Sequence, residues 1–241
     1  MSKSYRPKKS AAVPTRTCEQ CGKVKPAYGF TSLGSENGTS SRDLCSVCYN
    51  RWCTERSGMR ELADVELPPL RLSDSFGKEH TFYFDVRLTT GLGIRAFELV
   101  DGAPGGHQFC IMEHPQTPVC EASARLVKRI REGLSVHYLQ SSDFGPAQNR
   151  LYMKGSAING RIEERGHEMT PIVVIDGQEY SWEELGRFVS SHMGFNFRLE
   201  TFDPYDDAVP IHPDPPREDR LWWLPKPDGS DENSGQERTY Q

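Results

Sequence analysis

Residues 82–88 alternate, with Phe82, Phe84, Val86 and Leu88 apolar and more polar side chains between them. A two-residue period sends successive side chains to opposite faces, so this stretch predicts a strand with one face buried. Thr89 to Gly93 supplies a turn, and Ile94 to Val100 resumes as a second strand, which makes a β-hairpin. GHQFCIMEHP predicts a third strand, stopped by Pro115. In VCEASARLVKRIREGLSVHYLQ the period lengthens: Ala122, Leu126, Ile130 and Leu134 fall at helical intervals with basic residues between them. SAINGRIEER and TPIVVIDGQEYSW predict further strands, the latter bent at Asp176-Gly177, a pair that favours a tight turn with positive φ. Ser181, with Glu184 three positions on, forms a capping box. It opens a helix whose Leu185, Phe188, Val189 and Met193 share one face until Gly194 ends it. FNFRLETFD predicts one closing strand.

Strands joined by short hairpins, with two helices among them, predict an α+β domain of mainly antiparallel strands over residues 79–202. Residues 61–78 carry the pair Pro68-Pro69 and read as a linker. Residues 203–241 are rich in Pro and Asp, with too little apolar surface to fold alone, and predict a disordered acidic tail. Within it Leu221, Trp222, Trp223 and Leu224 form an isolated apolar patch. Such a patch either packs back onto its own body, the commoner fate of aromatic clusters on monomers, or docks a protein partner. Residues 1–15 read as a flexible basic arm.

Charge sharpens this division. The chain of 241 residues has a net charge of -5, but the sign is not evenly spread. Residues 1–60 hold 11 Lys/Arg against 4 Asp/Glu, a balance of +7; residues 61–241 hold 18 against 30, a balance of -12. A basic head precedes an acidic body. No stretch approaches the ~20 apolar residues of a membrane-spanning helix, and the first residues lack the apolar core of a secretory signal. The expected location is the cytoplasm, with no membrane partner.

The head also carries the clearest chemistry. Cys18 and Cys21 form one Cys-x-x-Cys pair and Cys45 and Cys48 another, in CEQCGKVKPAYGFTSLGSENGTSSRDLCSVC. In a reducing compartment such pairs are better read as metal ligands than as disulfides. Zn2+ takes four thiolates tetrahedrally in structural sites, and two short turns can each deliver two sulfurs to one ion. Gly22, directly after Cys21, supplies the permissive backbone such a turn wants, and Lys23 and Lys25 place positive charge beside a centre whose four thiolates and one Zn2+ sum to -2. After the second pair, YNRWCTERSGMREL predicts a helix segment ending at Gly58, with Cys45 and Cys48 around its N-terminus, where the helix dipole favours thiolate. Cys53 reads as a small side chain of that helix rather than a fifth ligand.

A knuckle on a hairpin followed by a knuckle leading into a helix resembles the treble-clef zinc finger over residues 16–60; a zinc ribbon is the close alternative. That resemblance implies one structural Zn2+ and a local fold, and no particular activity. VVIDGQEYSWEELGRFVSSHMGFNFRLE is similar to the C-terminal part of an uncharacterised bacterial domain that accompanies such Cys-x-x-Cys pairs, which likewise implies boundaries and no mechanism.

His107, Cys110, His114 and Cys120 also fall within fourteen residues, all of them ligand types. On a strand His107 and Cys110 point to opposite faces, and no pair among the four has knuckle spacing. Cys110 is therefore expected in the core and the two histidines in turns or at the surface. HEMTP at His167 lacks the second histidine of a zinc protease, and no Gly-x-Ser-x-Gly, phosphate loop or dinucleotide glycine pattern occurs. No catalytic residue is expected.

Two functions lead, and an enzyme in the body, whose pocket one sequence does not show, ranks third. The first is weak, phosphate-driven binding of DNA or RNA by the head, through Lys8, Lys9, Arg16, Lys23, Lys25, Arg51 and Arg56. No base-reading helix stands out, so sequence selectivity would be low. The second is a protein-interaction adaptor in which the zinc only staples a small module, and partners bind the body or Trp222 and Trp223. A module of fewer than about 60 residues buries too little surface to be stable unaided, so a metal is expected in either case.

Overall fold

The computed structural model describes residues 12–34, 41–58, 65–142, 150–164 and 170–206. The fold is α+β, and among the described residues there are three α-helices and every strand pairing is antiparallel. No described helix is long and apolar enough to cross a membrane.

The N-terminal unit consists of two hairpins and a helix. Strands β1 (Thr15–Thr17) and β2 (Val24–Pro26) pair, as do β3 (Phe30–Gly34) and β4 (Ser41–Cys45), and β4 runs directly into helix α1 (Ser46–Ser57). Gly58 ends α1 at φ 64°, donating its N–H to the Thr54 carbonyl, the left-handed stop expected from its place in the sequence.

A four-stranded sheet follows in the order β5 (Leu70–Ser73), β6 (Glu79–Leu88), β7 (Leu92–Val100), β8 (Ala103–Glu113). The expected linker 61–78 thus contributes an edge strand: Leu70 and Leu72 alternate behind the Pro pair and find ladder partners in Phe82 and His80. Helix α2 (Val119–Leu134) covers one face with Ala122, Leu126, Ile130 and Leu134, all buried as their spacing predicts. They meet Phe82, Val86, Leu92, Ile94, Ala96 and Ile111. Fully burying one such Leu or Ile stabilises the fold by about 1.5–3 kcal/mol. The period of two then decides what the other face does. Phe82, Phe84 and Val86 turn to α2, while Tyr83 meets the ring of Tyr28 and Asp85 the Ser46 hydroxyl, both in the N-terminal unit.

Past α2 come the short hairpin β9 (Leu139–Ser141) with β10 (Leu151–Met153) and the sheet β11 (Arg161–Glu163), β12 (Ile172–Ile175), β13 (Gln178–Tyr180). Val136, Tyr138, Met153, Val173, Ile175 and Phe188 form a core of their own. The β12–β13 turn has φ 50° at Asp176 and 70° at Gly177, the conformation the dipeptide foretells. Asp176 also caps the chain opposite: its carboxylate accepts the backbone N–H groups of Tyr138 and Leu139 at 2.9–3.1 Å.

Helix α3 (Trp182–Phe188) opens with the expected Ser181–Glu184 capping box but ends sooner than the pattern suggests. A 3-10 turn over Val189–His192 replaces its last stretch, and Met193 is exposed instead of sharing the buried face of Phe188. Nor does FNFRLETFD form a strand: Phe195, Phe197 and Leu199 are all exposed, and among the described residues their alternation meets no sheet.

Candidate metal centre

Cys18, Cys21, Cys45 and Cys48 converge with their sulfurs all within 4.8 Å of one another, and this cluster could hold one metal ion. Two turns deliver them. Between β1 and β2 the Cys18 carbonyl accepts the Gly22 N–H at 2.9 Å, and the Cys18 N–H reaches the Lys23 carbonyl at 3.0 Å, a loop that needs φ 69° at Gly22. The second pair rides on α1, where Cys45 is the residue that starts the helix and Cys48 lies in its first turn. The Glu19 N–H donates to the Asp43 carbonyl at 3.1 Å and ties one knuckle to the strand that feeds the other.

The spacing of the sulfurs fits an ion and not a disulfide. Cys21 and Cys45 lie 3.9 Å apart at sulfur. A tetrahedral thiolate site with metal–sulfur bonds of about 2.3 Å has sulfur–sulfur edges of about 3.8 Å, whereas a disulfide bond is about 2.05 Å. Cys18, Cys45 and Cys48 are buried with Phe30 and Leu44, so the sulfurs supply much of this small unit's interior.

Proton affinities within the cluster diverge. Burial raises the pKa of Cys18, but hydrogen bonds from the backbone of Cys45, Cys21 and Gln20 outweigh it and bring the thiol down to about 6. One of these is the Cys45 N–H donating to the Cys18 sulfur at 3.3 Å. Burial pushes Cys45 and Cys48 upward, and for Cys48 the neighbouring thiols push the same way. Crowded thiols resist becoming crowded thiolates unless a cation replaces their protons.

The whole unit is fastened to the body. Asn50, buried in α1, donates its amide to the Val86 carbonyl and accepts the Leu88 N–H, each at 2.9 Å. Asp85 accepts from the Ser46 hydroxyl at 2.8 Å and from Arg87 Nε at 2.6 Å, while Arg87 reaches back to the Phe30 carbonyl at 3.2 Å. The Tyr28 ring meets Phe97 edge-on at 5.0 Å. Sequence reasoning passed over Asn50 and Asp85, because Asp85 falls on the polar side of the β6 alternation and a polar helical residue such as Asn50 ordinarily faces solvent.

The described basic residues of the head are largely engaged within the chain. Arg16 pairs with Asp43 at 3.1 Å and Lys25 with Glu66. The Arg56 guanidinium lies 4.7 Å from the Trp52 ring centre, and Arg51 and Arg56 have further partners. Lys23 is exposed, and Lys8 and Lys9 lie outside the described residues, as do Trp222 and Trp223. Cys53 is half-buried on α1 and is not among the gathered thiols. The other constellation disperses: Cys110 is buried and His114 is exposed, as expected, and Cys120 is exposed, but His107, expected in a turn or at the surface, lies within β8 with its side chain mostly covered, against Glu98 on β7 and near His80 on β6.

Three family models match consecutive stretches, each described as a domain of unknown function: DUF7685 over residues 17–60, DUF7686 over residues 63–135 and DUF7713 over residues 138–206. The cysteine cluster lies wholly within the first. No curated protein and no solved structure gives a significant match to the chain.

Proposed function

We propose that the protein is a non-enzymatic zinc protein in which one Zn2+, held by Cys18, Cys21, Cys45 and Cys48, is a structural staple, and that it acts as an adaptor by engaging a protein partner. Four thiolates with no open position suit zinc in a closed structural site. The observation that carries the reading is the buried clasp of Asn50 on Val86 and Leu88: the helix that the metal organises spends one face on the sheet, which favours a structural role for it over reading a groove of nucleic acid. The ion pairs of Arg16 and Lys25 support the same choice, since phosphate would have to compete with Asp43 and Glu66. The row of exposed Met193, Phe195, Phe197 and Leu199 supports contact with a protein.

The test has two arms on the full chain. Elemental analysis is expected to find zinc that chelation removes, with hydrogen exchange then rising in α1 and along β6 while α2 stays protected. Fluorescence anisotropy with single- and double-stranded DNA and RNA oligonucleotides is expected to show no salt-sensitive binding. Binding that weakens steeply from low to moderate salt, and that is lost when residues 1–15 are removed, would return the function to the basic head.

A further inference from the structure

The β7–β8 ladder shifts register between Phe97 and Glu98: Phe97 faces Gln108, while Glu98 faces Gly105. Gly106 and His107 are the surplus residues on β8, and Gly106 takes φ 59° to accommodate the bulge. The irregularity re-aims His107 onto the carboxylate of Glu98. Its ring Nδ1 and its backbone N–H both lie against Oε2 of Glu98, at 2.9 and 2.7 Å. The other oxygen, Oε1, is 2.9 Å from Nδ1 of His80 on β6. His80, Glu98 and His107 thus bring two ring nitrogens and a carboxylate within 4.8 Å of one another, at a place where His80 is nearly inaccessible and the other two are mostly covered.

We propose that His80, Glu98 and His107 form a second metal site, a centre of two imidazoles and one carboxylate for a divalent transition-metal ion of the zinc class. The donor set favours that class over calcium or magnesium, which take oxygen ligands. The surroundings complete it. A ligating histidine normally gives its remaining ring N–H to a carboxylate, which fixes the ring and makes it a better donor. His80 meets that requirement, with Nε2 3.2 Å from Oδ2 of Asp74. Asp74 is itself fixed, since its Oδ1 accepts the N–H groups of Phe76 and Lys78 at 2.9 Å each.

A third imidazole borders the same place. His137 Nε2 is buried 3.5 Å from Oδ2 of Asp74 and makes no hydrogen bond. Glycines give the ligands their room. A methyl group at Gly106 would meet Glu98 Oε2 at 2.5 Å, and one at Gly177, in the β12–β13 turn, would meet His107 Nδ1 at 2.5 Å.

A divalent ion there would balance the carboxylates of Glu98 and Asp74, which both face His80. Metal–ligand bonds of about 2.0–2.1 Å set tetrahedral ligand edges near 3.3 Å, so the 2.9 Å contact between either histidine and its nearer Glu98 oxygen would open by about 0.4 Å.

Cobalt titration of the metal-stripped full chain decides the matter. One equivalent is expected to give the intense charge-transfer absorption of cobalt–thiolate bonds, and a second to add only ligand-field bands of a site without sulfur. Elemental analysis of the zinc-loaded chain should correspondingly find two ions. His107→Asn and Glu98→Gln should each lower this to one and abolish the sulfur-free bands, with thiolate absorption and circular dichroism retained; His114→Asn, at an exposed histidine, should leave two. If the unsubstituted chain binds only one equivalent, or if a second persists in either variant, the residues form a hydrogen-bonded histidine–carboxylate cluster only and the proposal fails. Because the unsubstituted stoichiometry decides first, a variant that fails to fold does not obscure the result.

Discussion

The side chain of Asn50 is locked to the backbone of Leu88: the Leu88 N–H donates to the Asn50 carboxamide oxygen at 2.9 Å, and the Asn50 amide donates in turn to the carbonyl of Val86. A side chain thereby takes over two ladder positions of β6 and welds α1 to the sheet. Asn50→Ala would strand two main-chain groups in a buried seam, at a cost of about 2–4 kcal/mol. Urea unfolding should register that loss, and the metal content should stay unchanged because no sulfur is disturbed.

Cys18→Ser and Cys48→Ser are each expected to release the ion from the thiolate cluster and melt the N-terminal unit. Buried Phe30 and Leu44 pack on the sulfurs with only the partly buried Leu33, Val47 and Tyr49 around them, so a unit this small draws much of its cohesion from the ion. The core around Leu126, Ile130 and Phe82 is separate, and native-state hydrogen exchange should find α2 as protected as before. Full metal retention in either variant would show that the ligands are others.

The cysteine pairs, the β6–β7 hairpin and α2 were readable because each is a local pattern: knuckle spacing, period two, period near four. The bend at Asp176-Gly177 and the Ser181–Glu184 box were readable because turn and cap chemistry lies within a few residues. Met193 and the run from Phe195 to Leu199 misled because periodicity reports only that a face could be buried, and none of the described residues covers these side chains. The cluster of His80, Glu98 and His107 was hidden for the opposite reason. Its residues come from three strands, and a bulge that no pattern announces sets their register. Asn50 gave no warning in the sequence, since a polar helical residue is ordinarily a solvent-facing one.

Gly133 sits in the last turn of α2, where alanine would ordinarily stabilise a helix by about 1 kcal/mol. Here a Cβ would overlap the Phe109 ring, which itself packs edge-on to Phe82 at 5.8 Å and cannot swing away freely. Overpacking typically costs about 1–3 kcal/mol. Gly133→Ala is therefore expected to lower the melting temperature despite the gain in helix propensity, and a rise would mean that the sheet yields there more easily than its packing implies.

The start of α3 should be sensitive to acid. Glu184 accepts the Ser181 N–H at 2.8 Å, and this hydrogen bond holds its pKa below the ordinary glutamate value, with a weaker contribution from nearby Arg187. A carboxyl group whose pKa falls on folding contributes its stability above the unfolded-state value, about 4.3. It loses that contribution as pH drops through the lower folded-state value, because the native state must then take up a proton at a higher cost. Glu184→Gln keeps an oxygen that can accept the same N–H but removes the charge. The difference in stability between the parent chain and this variant should thus be largest near neutrality and shrink once the pH falls below about 4. Paired urea titrations at neutral and acid pH would measure it; a difference that stays constant across that range would place the value of this cap in its geometry and not in its charge.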